Sequence, residues 1–162
     1  MRYLVLTLMV FNLGFGQMVF SEDQPTTQSA TQNVKAWIQA FTENDADGLL
    51  KFYEDSADVT VVVSSGQRYQ GHKELGDIYR KQFEEAQFFE STSKNLSAKV
   101  AENSAIVHFE HLLKFRLPED DSKWQVHIRT TIVLQLKNGK WKIIGEHSSP
   151  MNGVDRISKI DD

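Results

Sequence analysis

Apolar residues recur at every third or fourth position early in the chain and at every second position in its last half. Val34, Trp37, Ile38 and Phe41 stand at helical spacing, so a first helix has one apolar face and ends at Asn44-Asp45. Asp45-Ala46-Asp47-Gly48 opens a short second helix that presents Leu49, Leu50 and Tyr53. Val59–Val63 is a run dominated by β-branched residues, a buried strand that Ser64-Ser65-Gly66 turns back towards Arg68-Tyr69. Gly71 precedes a third helix with Leu75, Ile78, Tyr79, Phe83 and Ala86 on its apolar face. After Ala86 the period becomes two, which predicts strands near 88–101, 104–116, 124–137 and 140–148. The order is helix, helix, short hairpin, helix, four-strand meander. That is an α+β fold: a cone-shaped, curved antiparallel sheet wrapped on three N-terminal helices.

Asn138-Gly139 sets the register of the last two strands, because both residues tolerate the positive φ of a tight hairpin turn. Lys137 then pairs with Lys140, Leu134 with Ile143 and Thr130 with His147. Paired residues share a face. Ile128, Thr130, Ile132, Leu134 and Leu136 therefore lie with Trp141, Ile143, Gly145 and His147 on the core face. His127, Arg129, Thr131 and Gln135 lie with Lys142, Ile144, Glu146 and Ser148 on the other. If Leu117 pairs with Trp124, His111 falls opposite Thr130 on the core face, and Lys94 falls beside His111; a slip by two residues keeps the same parity. The expected result is a polar row of Lys94, His111, Thr130 and His147 on an apolar concave face, as in a small-molecule pocket.

This order of elements over residues 30–150 resembles the nuclear transport factor 2-like superfamily, in its SnoaL-like and DUF4440-like branches. The ending Gly139-Lys140-Trp141-Lys142-Ile143-Ile144 followed by His147-Ser148-Ser149-Pro150 carries the likeness. The same ending is similar to the association (hub) domain of calcium/calmodulin-dependent kinases, although Gly145 and Ser148 stand where hub domains commonly have His and Arg. The resemblance implies the cone-shaped cystatin-like fold and pairing of two copies through the outer sheet face. On that face His127, Arg129 and Glu146 are the candidate interface, with Arg129 and Glu146 as an ion pair. It also includes enzymes, among them dehydratases that use two histidines with tyrosine partners. No acidic residue of the isomerase or epoxide hydrolase members falls on a matching position here.

The candidate chemistry follows from both lines. His111 and His147 are the candidate catalytic pair, since neutral imidazoles near pH 7 can both give and take a proton. Trp37, Tyr53, Tyr69, Lys94, Thr130 and Ile132 are the candidate ligand contacts. Strand parity separates His108, Glu110 and His127 from His111 and His147, and two histidines on a face are too few for a zinc site. No cofactor is expected: nothing resembles a phosphate loop, a nucleophile elbow or a covalent cysteine. The expected partner is a small apolar or mixed-polarity molecule, together with a second copy of the chain.

Charge and composition narrow the setting. The N-terminus holds Arg2 as its one charge before Glu22, then an apolar run from Tyr3 to Phe11 that is short for a membrane span. Residues 1–21 are expected to be a signal peptide cleaved after Ser21, with Gly16 as second site and an uncleaved anchor as the alternative. Residues 22–29 read as a flexible lead-in and 151–162 as a tail. The chain has no cysteine, which excludes disulfides and a lipoprotein anchor. Its net charge of −4 becomes −5 when Arg2 is removed, with no basic run, which argues against nucleic acid. The expectation is an exported, secreted or periplasmic binding domain. The alternatives are a proton-transfer enzyme (isomerase, cyclase or dehydratase) and a non-catalytic oligomerisation module. A pocket with convergent polar groups favours the first two, and a filled cone favours the third.

Overall fold

A computed structural model describes residues 26–151 and 157–160. The expected signal peptide lies outside the described residues. Helix α1 spans Thr27–Ala40, so it begins inside the stretch read as a flexible lead-in. The reason is a capping box: Thr26 and Ser29 each accept the other's backbone N–H. A 3-10 turn, Phe41–Glu43, follows and stops at Asn44, whose φ of 52° is left-handed. The Asn44 side chain accepts from Phe88 N at 2.7 Å and donates to Phe88 O at 2.9 Å, which ties the helix end to the sheet. Helix α2, Ala46–Leu50, is capped by Asp45, and α3, His72–Glu85, starts after Gly71 at a φ of 87°.

The strands are β1 Thr60–Val62, β2 Arg68–Gln70, β3 Gln87–Ala101, β4 Ser104–Arg116, β5 Lys123–Lys137, β6 Lys140–Pro150 and β7 Ile157–Lys159. The path across the sheet is β2-β1-β6-β5-β4-β3, with β7 beside the start of β5. The expected all-antiparallel sheet is thus mixed, because β1 runs parallel to β6. β7 occupies the stretch read as a tail and pairs Ile157 with Val126. The concave face buries Ala105, Val107, Phe109 and Leu113 of β4 and Ile132 and Leu134 of β5 against Trp37 and Phe41.

The hairpin turn is as the sequence predicts: Asn138 and Gly139 have φ of 50° and 73°, and Lys137 pairs with Lys140. Two registers then depart from expectation. Trp124 pairs with Phe115, a slip of two residues, so His111 lies opposite Ile128 with its parity kept. In β6 a bulge follows the Leu134–Ile143 pair, and the next pair is Val133–Gly145. The extra residue at Ile144 reverses the parity of all that follows. Thr130 therefore pairs with Ser148, Ile132 with Glu146 and Thr131 with His147.

Candidate functional site

The bulge exchanges His147 for Glu146 at the interior. His147 is exposed on the outer face beside Thr131. His111 is 1 % exposed in the core. The expected two-histidine site is therefore not formed, because the sheet stands between its members. Lys94 is also displaced: it is exposed and pairs with Glu110 rather than standing beside His111. The expected Arg129–Glu146 ion pair is absent for the same reason, since Glu146 faces inward and Arg129 outward.

The polar cluster that does form is built from five elements: α1, the segment 52–54, α3, β5 and β6. The backbone of Phe52–Glu54 pairs with Ile143 of β6: Ile143 N donates to Phe52 O and Glu54 N to Ile143 O. This pairing holds Tyr53 against the strand that carries Glu146. Tyr53 Oη donates to Glu146 Oε2 at 2.5 Å. Trp37 Nε1 of α1 donates to Tyr53 Oη at 3.2 Å. Tyr79 Oη of α3 lies 2.6 Å from Tyr53 Oη and can donate to it. Ser148 Oγ reaches Glu146 Oε1 at 3.5 Å and lies 3.0 Å from Thr130 Oγ1. Trp37, Tyr53 and Tyr79 are all buried, whereas Glu146 keeps part of its surface.

Burial decides the protonation states. It pushes the Glu146 carboxyl up to about 7, only partly offset by the hydrogen bonds from Tyr53, Ser148 and Tyr79. Burial, then the Glu146 charge, raises both tyrosines well above the phenol range, so they remain donors. His111 is pushed down to about 3 by burial and is a neutral imidazole hydrogen-bonded to Ser91 Oγ at 3.0 Å. The rings of Trp37, Phe41 and Phe109 pack on it with centroids 5.7, 5.7 and 5.5 Å away. The deep end of the cone is thus filled, the feature expected of a non-catalytic oligomerisation module, and apart from the His111–Ser91 pair the interior polar groups gather around Glu146.

Of the other expected ligand contacts, Trp37, Tyr53, Thr130 and Ile132 face the interior. Tyr69 is half-buried on β2 against the core. Glu146, Ser148 and Tyr79 join the site although strand alternation turns the first two outward and Tyr79 reads only as part of an apolar helix face. The signal was present in Ile143-Ile144-Gly145, where two consecutive apolar residues break the alternation just before a strand glycine. Among the described residues no three His, Asp or Glu side chains gather as a metal cluster. A groove of 570 Å³ between α2, α3 and the β5–β6 turn has Tyr53, Leu50, Gly76 and Arg80 in its lining.

Three helices on a curved, unclosed mixed sheet, with polar groups meeting inside the cone, define a nuclear transport factor 2-like protein. Residues 31–153 match the SnoaL-like domain family, and the chain belongs to it. Solved structures of the same fold include a nuclear transport factor 2-like superfamily protein from Salmonella enterica. It has 16 % identity and a TM-score of 0.69 over 80 % of this chain and 94 % of that one. A ketosteroid isomerase-like protein from Erwinia carotovora atroseptica has 17 % identity and a TM-score of 0.66, covering 84 % and 97 %. At such identities the likeness is one of fold. No curated protein matches the chain.

Proposed function

We propose that this chain is an exported small-molecule-binding domain whose polar anchor is the Glu146 carboxyl, backed by Tyr53 and Tyr79. The observation that carries the reading is the 2.5 Å contact between Tyr53 Oη and a carboxyl turned into an apolar cone. A carboxyl that titrates near 7 can present either an acceptor or a donor to a ligand. The fitting ligand is a small apolar or mixed-polarity molecule with one hydroxyl or carbonyl group. Such a molecule buries its apolar body and replaces one hydrogen bond of the cluster.

The same carboxyl supports a second reading, proton transfer at carbon next to a carbonyl, because a base that titrates near the working pH is the efficient one. One experiment addresses both. Cyclic ketones and phenols are titrated in deuterated buffer, with Trp37 fluorescence followed in a Trp124→Phe, Trp141→Phe background. Binding is expected to quench Trp37 and to weaken at least ~10-fold in Glu146→Gln, the loss of one hydrogen bond to a charged group. Deuterium incorporation into the ketone, rising through pH 7 and lost in Glu146→Gln, supports the catalytic reading. Binding without exchange leaves the carrier reading, and binding equal in the two proteins overturns the anchor.

Export is part of the proposal and rests on the charged start, the apolar run and the small residues before Glu22. Protein recovered from the native host is expected to begin at Glu22. An intact Met1 on cytoplasmic protein would refute it.

A further inference from the structure

The tip of the β5–β6 hairpin reads Lys137-Asn138-Gly139-Lys140-Trp141-Lys142, a basic stretch in a chain whose net charge is −4. The fold brings Lys51 to the same end, because the segment that follows it pairs with β6 at Ile143. Helix α1 closes the other side: Trp141 Nε1 donates to Ser29 Oγ at 2.9 Å. Between α1, Lys51 and the hairpin lies a groove of 360 Å³. Phe52, Leu136 and Trp141 are its apolar wall, and Lys51, Lys140 and Lys142 its charges; among the described residues no Asp or Glu lines it. The nearby acid, Glu54, lies outside the lining and is held by Lys137 at 3.2 Å. Lys142 Nζ donates to Lys51 O. The ammonium groups of Lys51 and Lys140 are exposed and have no partner among the described residues.

A second observation is independent of charge. Asn33 of α1 lines the same groove. Its Nδ2 donates to Trp141 O at 3.3 Å, and its Oδ1 is shut off from solvent with no donor. Turning the amide over would set two oxygens against each other, so the Trp141 carbonyl fixes which atom is left unpaired. A buried acceptor without a donor forfeits the worth of a hydrogen bond. A molecule that brings an O–H to it therefore gains what the free protein lacks.

We propose that this groove binds a small carboxylate or phosphate that carries a hydroxyl beside its anionic group. Lys51 and Lys140 take the anion, and Asn33 Oδ1 accepts from the hydroxyl. No member of the Glu146 cluster lines the groove, so the site stands whether or not the interior binds anything. It opens on the α1 side of the hairpin, so two copies paired over the outer sheet face leave it clear.

The test uses two pairs of probes that differ by one hydroxyl: lactate against propanoate, and 2-hydroxyethyl phosphate against ethyl phosphate. Each is titrated into 15N-labelled protein, with sodium chloride at equal ionic strength as reference. Saturable shifts are expected at the amides of Asn33, Lys51, Lys140 and Trp141. The hydroxyl-bearing probe should bind ~5-fold more tightly than its partner, and Asn33→Leu should erase that difference. Lys51→Gln and Lys140→Gln should each weaken binding ~5-fold, the loss of a hydrogen bond to a charged group. Lys123→Gln, the same change of charge at the far end of β5, should leave it unaltered. The tighter pair shows whether the site takes a carboxylate or a phosphate. Shifts that do not saturate or are matched by chloride would overturn the proposal. So would equal affinity within each pair for the wild type, an equal loss in Lys123→Gln, or shifts confined to the amides around Glu146, which would place the probes in the cone.

Discussion

Glu146→Gln is expected to change the pH dependence of stability in a direction that identifies the buried carboxyl. Folding moves Glu146 from its ordinary 4.5 up to about 7. Between those values the folded protein holds a proton that the unfolded chain has lost. Stability contributed by Glu146 is therefore full below 4.5 and is lost as pH rises to 7, at ~1.4 kcal/mol per pH unit. His111 works the other way. Its folded value is about 3 against 6.5, so the unfolded chain holds the extra proton, and stability is lost as pH falls from 6.5 towards 3. From 4.5 to 6.5 the two slopes oppose and nearly cancel. The wild type should be close to flat there, and Glu146→Gln should gain stability with rising pH, by ~1.4 kcal/mol per unit from His111 alone. The quantity to measure is the difference between the two proteins in denaturant unfolding, in which every shared group drops out. It should grow in favour of the glutamine variant from pH 4.5 to 7, by at most about 3 kcal/mol. Solvent reaching the partly buried residue reduces that figure. A difference independent of pH would show that the carboxyl is not held as described.

The same two residues show how much of this molecule was legible in its sequence. His111 was placed correctly on the core face because its strand alternates cleanly from Ala105 to Phe115, and a slip of two residues in a six-residue loop does not alter parity. The turn at Asn138-Gly139 fixes four residue pairs beyond it, from Lys137–Lys140 as far as Leu134–Ile143. Past that pair strict alternation is off by one residue. Alternation assigns faces only while each strand contributes one residue per pair, and Ile144 is extra. The apolar sequence Ile143-Ile144 satisfies a strand in either phase, so nothing in hydrophobicity alone chose between Glu146 and His147. What chose was tertiary: Tyr53 and Tyr79 supply buried hydroxyls that a carboxyl accepts from, while the outer face leaves His147 in water. The capping box at Thr26 and the short β7 were missed for a related reason. Each is a few residues long and takes its structure from a partner rather than from a pattern of its own.

Trp37→Ala is expected to be the most damaging single substitution in the cone, costing about 3–5 kcal/mol as a large aromatic removed from a packed core. Trp37 is 1 % exposed, meets Phe41 edge-on at 4.9 Å and lies against Phe109 and His111. It also supplies one of the donors to Tyr53 Oη, so its loss weakens the hydrogen-bond chain that ends at Glu146. Trp37→Phe keeps most of the apolar contact and loses the donor. Its expected cost is about 1–2 kcal/mol, the desolvation of an acceptor left one bond short. The two variants together separate packing from hydrogen bonding. The alanine variant also tests whether the deep end of the cone is filled by the protein itself. It should leave a cavity lined by Phe41, Phe109, His111 and Tyr53, and indole should enter it, since an apolar cavity of that kind binds a matching ring. Indole is then expected to raise the melting temperature of Trp37→Ala in a concentration-dependent way and to leave the wild type unchanged. Stabilisation of the wild type by indole would mean that the cone already holds open space beside Trp37. In that case the ligand site extends inward from Glu146 as far as His111.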